Sequence, residues 1–242
     1  MPELVAESFA PWSEKARWAL DHHRITYAYH EYLPVVGEPW LRWRTGAWFG
    51  RVSTPTLIAD GGVYGDSFAI AQWAERHGSG APLFPGDCLA GIATWNATSE
   101  RALAAGRVRV VARMAEVPGA KSEMLPPAIP AALHPVLGVA ADATFAYLRW
   151  KYGFGTDVEA GTLTLRTALE DLRAALGGRD HVYAELTYAD LAMAVVLQMV
   201  QPVPDRWIRL GPSTREVWTD ETLATDFAYL VDWRDRLYAA HR

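Results

Sequence analysis

The sequence predicts a chain that is α/β over its first third and all-α thereafter. Three observations carry this. The first 78 residues alternate strand-like and helix-like patterns. Residues 78–86, "GSGAPLFPG", make a Gly- and Pro-rich break. From residue 88 onward the apolar periodicity is helical. The expected layout is an α/β domain over 1–78, a linker over 79–86 and an all-helical domain over 87–242. With 242 residues, half of them hydrophobic, and 11 tryptophans, the chain can bury a substantial core.

The elements follow in order. Leu4–Phe9 reads as a strand, and Pro11 suits the first turn of a helix because its missing N–H would have no partner there. Along that helix Ala16, Ala19, Leu20 and His23 share the buried face, with Glu14, Lys15 and Asp21 pointing elsewhere. Ile25–Leu33 is β-branched and aromatic, hence a second strand. Residues 34–51, with three glycines, two prolines and three tryptophans, read as a loop. "TPTLIADGGVYGDS" gives two short strands around Gly61-Gly62, a hairpin. "SFAIAQWAERHG" is a helix whose stripe is Ile70, Ala71, Trp73, Ala74 and His77, ending at Gly78. Beyond the linker, Cys88–Val117 is helical and Pro118–Pro135 is an irregular crossing. Val136–Tyr152, Thr162–Leu176, Tyr188–Val200 and Leu223–His241 read as further helices.

Composition narrows the function classes. A net charge of −5 argues against nucleic acid as a partner, which needs a surplus of Lys and Arg to displace counterions. The single cysteine, Cys88, permits no intrachain disulfide and no dithiol redox pair. No metal site is expected: His22, His23 and His30 have no second cluster of ligands. The N-terminus lacks a basic segment followed by an apolar run, and nothing approaches the ~18 uninterrupted apolar residues of a span. The expectation is a cytoplasmic protein with no membrane partner, in which Asn96-Ala97-Thr98 matches the glycosylation pattern by chance. No phosphate-cradling glycine loop, nucleophile elbow or dinucleotide fingerprint is present.

Four stretches carry more specific information. In "VSTPTL", Pro55 opens a strand after a loop. In "YGDSFAI", an acidic residue and a serine precede a helix, where Ser67 makes a good N-cap and the first free N–H groups form an anion site. In "LTYADLAMA", Thr187 and Asp190 have capping-box spacing at the head of an apolar helix. "APWSEKARWAL" runs from a strand end through a proline into an amphipathic helix.

With the order of strands and helices given above, these stretches resemble the cytosolic glutathione transferases: a thioredoxin-like N-terminal domain followed by an all-α C-terminal domain. The resemblance implies a cis bond at Thr54-Pro55 that turns the Thr54 backbone toward the cysteine of glutathione, a miniature strand addition. It implies that Asp66 and Ser67 grip the γ-glutamyl end, and that glutathione is the co-substrate. The family places a Ser or Cys just before the first-helix proline, where this chain has Ala10, and no tyrosine lies in the first strand. Ser13 is ranked first as a replacement hydroxyl and Ser8 second, with the helix N-terminal field assisting. Arg42, Arg44 and Arg51 are candidates for the glycine carboxylate, with Trp40, Trp43 and Trp48 as walls or packing. The acceptor pocket is expected at Trp12 and along the helix of Trp95, Thr98, Arg101, Ala102 and Ala105. Arg107, Arg109 and Arg113 are expected on a solvated face. The implied function is conjugation of glutathione to a small hydrophobic electrophile, or glutathione-dependent isomerisation or elimination, in a homodimer. A non-catalytic binding or assembly protein of the same fold is the alternative.

Overall fold

The computed structural model describes residues 1–34, 36–114, 116–117, 119–123 and 157–242. Its first unit is a four-stranded sheet, β1 (Glu3–Ala6), β2 (Ala28–Glu31), β3 (Thr56–Ala59) and β4 (Gly62–Tyr64), in the order β2-β1-β3-β4. β1 and β2 run parallel, and β3 is antiparallel to both β1 and β4. Both early strands are shorter than their apolar runs suggest. The β3–β4 hairpin turns through Asp60 and Gly61, at φ 51° and 73°, the mirror-image turn that Asp-Gly favours and that matches strand twist.

Two helices, α1 (Pro11–His22) and α3 (Ser67–His77), pack on one face of the sheet over Leu4, Ala6, Leu57 and Ala59. The other face carries Val5, Tyr32, Leu41 and Val52, and Leu41 comes from a helix, α2 (Glu38–Thr45), inside the stretch expected to be a loop. Its glycines and proline are boundary signals rather than breakers. Gly37 is the N-cap, Pro39 lies in the first turn, and Gly46 closes the helix in the left-handed conformation at φ 68°.

The remainder is helical: α4 (Leu89–Arg113), α5 (Ala120–Glu123), α6 (Val158–Leu176), α7 (Tyr188–Val196, continued by one 3₁₀ turn, Leu197–Met199), α8 (Pro212–Trp218), α9 (Glu221–Asp226) and α10 (Ala228–His241). The helix expected over Leu223–His241 is thus broken at Phe227, and α8 is additional. The helix expected over Val136–Tyr152, and most of the Pro118–Pro135 crossing, lie outside the described residues; α5 occupies part of the latter. Every residue of α7 is buried, as its all-round apolar surface requires. α4 and α6 approach so closely that a Cβ on Gly161 would stand 2.9 Å from the Ala105 carbonyl oxygen. Alanine for a mid-helix glycine ordinarily gains about 1 kcal/mol, but overpacking against backbone costs about 1–3 kcal/mol. Gly161→Ala is therefore expected to lower the thermal midpoint, with a net loss of roughly 1 kcal/mol.

Three expectations about charged and polar side chains are corrected. Glu14 and Lys15 are fully buried, because α1 is covered on both sides, by the sheet unit and by the helical unit. Glu14 pairs with Arg17 at 2.5 Å and with Arg242 at 2.8 Å, and Lys15 pairs with Glu100 at 2.5 Å. Arg109 is buried as well, donating to the carbonyls of Met199 and Trp218. His77, by contrast, is exposed and stacks on Trp73 at 4.3 Å.

Candidate functional site

The loop between β1 and α1 and the first turn of α3 face the same space. Pro11 opens α1 with Ala10 as its N-cap, and no side chain caps this end. Asp66, not Ser67, is the N-cap of α3: its Oδ1 accepts from the Ala69 N–H at 2.8 Å, leaving Ser67 as the first helical residue, buried. The Thr54-Pro55 bond is cis.

These segments border a cavity of about 1490 Å³, lined at one end by Ser8, Ala10, Arg51, Thr54, Asp66 and Ser67. It continues along one face of α4, past Trp12, Asn96, Glu100, Ala104 and Arg107. It ends among Val110, Met114, Met199 and Trp218. That volume exceeds the roughly 300–1,000 Å³ of ordinary small-molecule pockets, so a peptide and a second ligand fit together.

The α4 wall is built on a buried charge. Lys15 Nζ, without solvent access, donates to Ser99 Oγ at 3.1 Å and to Glu100 Oε1 at 2.5 Å. The other carboxylate oxygen of Glu100 accepts from Trp12 Nε1 at 2.7 Å, and the Arg107 guanidinium lies 4.8 Å from the Trp12 ring centroid. Burial holds the Lys15 pKa below the usual 10.5, against the pull of Glu100. Trp12 is thereby fixed in one orientation against the cavity.

The residues singled out in the sequence fall in three groups. Ser8, Thr54, Pro55, Asp66, Ser67 and Trp12 all line the cavity, as does Arg51. Ser13 does not: it is fully buried and its Oγ accepts from the Glu7 N–H at 3.1 Å, so its hydroxyl closes the β1–α1 turn. Arg42 and Arg44 do not either. Arg42 is bound to Glu38 at 2.7 Å and to the carbonyls of Ala47 and Gly50, and Arg44 pairs with Glu3. On α4 the expected face is rotated. Trp95 packs on the helical core, Thr98 is buried and receives a hydrogen bond from Arg101 at 3.0 Å, and Arg101 is exposed. The cavity face runs through 96, 100, 104 and 107, none of which belongs to the expected set of 95, 98, 101, 102 and 105. Spacing of roughly four residues along α4 carries that signal, but polar residues on both faces conceal its phase.

The Ser8 hydroxyl donates to Glu31 Oε1 at 3.2 Å, and Glu31 also accepts the Ser8 N–H at 2.9 Å. A hydroxyl committed to a carboxylate is a poor donor to a thiolate. Among the described residues no group of three or more His, Cys, Asp or Glu is placed to hold a metal.

Comparison with known proteins bears on the fold. Residues 9–77 match the family model described as glutathione S-transferase, N-terminal domain. No curated protein matches the sequence. Among solved structures, glutathione transferase GSTFuA2 from Phanerochaete chrysosporium superposes with a TM-score of 0.65 at 13% identity, covering 100% of this chain and 98% of that one. The beta-etherase LigF from Sphingobium sp. gives 0.62 at 17% identity, covering 98% and 95%. A glutathione S-transferase from Methylobacterium radiotolerans, in complex with glutathione sulfonate, gives 0.58 at 17% identity, covering 98% and 90%. Over residues 9–77 the chain is thus similar to glutathione S-transferase N-terminal domains. The chain as a whole carries the glutathione transferase fold, a thioredoxin-like unit followed by a helical one.

Proposed function

We propose that this chain binds glutathione at the Thr54–Ser67 end of the cavity and transfers its thiol to a small hydrophobic electrophile held against Trp12 and α4. One observation supports this above the rest: Ala10, Thr54, Asp66 and Ser67, from three separate segments, border a single cavity large enough for two ligands. The glutathione sulfonate held by the Methylobacterium relative has the same peptide chemistry. The free N–H groups of the first α3 turn suit the γ-glutamyl carboxylate, and the Asp66 carboxylate suits the neighbouring ammonium. Arg51, at the same end of the cavity, suits the glycine carboxylate.

Thiol activation is the modest part. With Ala10 apolar, Ser13 turned inward and Ser8 committed to Glu31, the α1 N-terminus remains, worth about 0.3–1 kcal/mol to a thiolate. In transfer to an aryl halide, the sulfur forms a bond to the ring carbon, halide departs, and the thiol proton passes to solvent. Homodimeric assembly and a cytoplasmic location go with this reading. Ala10 favours a second one, a protein that binds glutathione or assembles through this fold without turnover.

Calorimetry with glutathione and turnover of an aryl halide separate the two. Asparagine caps helices as well as aspartate, so Asp66→Asn keeps α3 intact while removing the charge; it is expected to weaken glutathione about tenfold. Ala10→Ser is expected to raise turnover about tenfold through a new hydrogen bond to the thiolate. Glutathione binding with turnover only in Ala10→Ser would select the non-catalytic reading. No turnover and no glutathione binding by the wild type would remove the enzyme reading and leave assembly through this fold.

A further inference from the structure

The first residue of α7 brings an unused hydroxyl to the back of the site. Tyr188 follows Thr187, the N-cap of the capping box, and its N–H donates to the Leu83 carbonyl at 2.9 Å. Its ring stacks on Phe84, centroids 5.2 Å apart, and meets Phe68 edge-on at 5.4 Å. Phe68 is the residue after Ser67 in the first turn of α3. Tyr188 thus reaches from the helical half of the chain to the rear of the Asp66–Ser67 corner. It has no solvent access, and its hydroxyl finds no hydrogen-bond partner among the described residues.

Buried polar groups are nearly always bonded, and leaving one unpaired opposes folding. Packing does not account for this one, since a phenylalanine would fill the same place against Phe68 and Phe84 without the polar atom. Its surroundings point elsewhere. Burial raises the Tyr188 pKa, the Ser67 side chain opposes that rise, and the Glu100 and Asp66 carboxylates add to it. The phenol therefore stands beside Ser67, close enough to feel it but not aligned to bond with it. Held protonated, it is a permanent donor. Ser67 is itself buried yet lines the cavity, so its side chain lies between the phenol behind and the cavity in front. A serine hydroxyl has one proton to donate and two lone pairs to offer. Turned to donate to a carboxylate in the cavity, it leaves those lone pairs for a second donor. We propose that Tyr188 is a positioning residue for the γ-glutamyl carboxylate: its O–H donates to Ser67 Oγ and holds the serine with its own O–H aimed at that carboxylate. Hydrogen bonds in series polarise one another, which strengthens the bond made to the anion. The inference rests on the glutathione reading, though not on turnover. It makes the grip on the peptide a joint property of α3 and α7, hence of both halves of the chain.

The test is calorimetric titration of the full chain with glutathione, comparing wild type, Tyr188→Phe, Ser67→Ala and the double variant. Phenylalanine keeps the ring packing, and an unchanged thermal midpoint checks this. Tyr188→Phe is expected to raise Kd about fivefold and Ser67→Ala about tenfold. The double variant is expected to bind no more weakly than Ser67→Ala, because the phenol acts only through that serine. A general loosening of the fold would carry the fivefold loss into the Ser67→Ala background as well, and such additivity overturns the proposal. Equal affinity of the wild type and Tyr188→Phe, both binding, also overturns it while the glutathione reading stands. No binding by the wild type removes the glutathione reading and the proposal with it.

Discussion

Glu100→Ala is expected to destabilise the protein by about 2–4 kcal/mol in urea unfolding, although Glu100 is itself partly exposed. The cost arises at the other end of the ion pair. Lys15 has no solvent access, and removing the carboxylate at 2.5 Å leaves a buried ammonium with Ser99 Oγ as its remaining partner. Converse removal is gentler, since the Glu100 carboxylate stripped of Lys15 still meets water. Lys15→Met in the Glu100→Ala background is expected to restore most of the loss, and simple additivity of the two substitutions would contradict the pairing. The pH dependence has a definite sign. Burial depresses the Lys15 pKa below 10.5, so between that lowered value and 10.5 the unfolded chain holds one more proton than the folded one. Stability therefore rises with pH in that window. Losing Glu100 removes the group that raises the Lys15 pKa and extends the window downward. The destabilisation of Glu100→Ala is thus expected to be larger at pH 6 than at pH 9.

Asp190→Ala is expected to cost about 3–5 kcal/mol, read as a fall in the urea midpoint. The Asp190 carboxylate is fully buried and accepts from the Val182 N–H at 2.7 Å, the Thr187 N–H at 2.8 Å and the Thr187 hydroxyl at 3.0 Å. Alanine leaves two main-chain donors where water does not reach, each worth about 1–3 kcal/mol. Asp190→Asn is expected to recover little. The amide offers one acceptor oxygen and turns an NH₂ group toward one of those same donors. A loss below about 1 kcal/mol would mean that solvent or a shifted carbonyl satisfies these groups.

How much of this was readable in the amino acids depends on the kind of signal. The β3–β4 hairpin, which turns at Asp60-Gly61 rather than at the expected Gly61-Gly62, the Pro11 start of α1 and the Thr187–Asp190 box are local signals, in which a few residues fix the backbone to within a residue. α2 resembles a loop in sequence for a physical reason. Gly37, Pro39 and Gly46 are the residues of a loop and equally those of helix ends, and only eight residues lie between the caps. The helical unit gave its helices but not its breaks. Phe227 interrupts the last run without any proline or glycine, a tertiary choice that periodicity does not encode. Thr54, Asp66 and Ser67 could be placed on the cavity wall because a motif marks them. Glu100 could not, since its role depends on Lys15, 85 positions away, and a charged residue on an amphipathic helix reads as solvated. For Ser13, proximity in sequence to the expected site does not determine which way the hydroxyl points.

The double coverage of α1 has a consequence for how the molecule holds together. Ala16 and Leu20 belong to the core under the sheet, while Trp18 and Ala19 belong to the core of the helical half, and His241 accepts from the Trp18 indole at 2.9 Å. One short helix is thus common property of two interiors. Neither half can melt while the other stays whole, so heating should yield a single cooperative transition. Cutting the chain between residues 79 and 86 would not release two self-sufficient folding units.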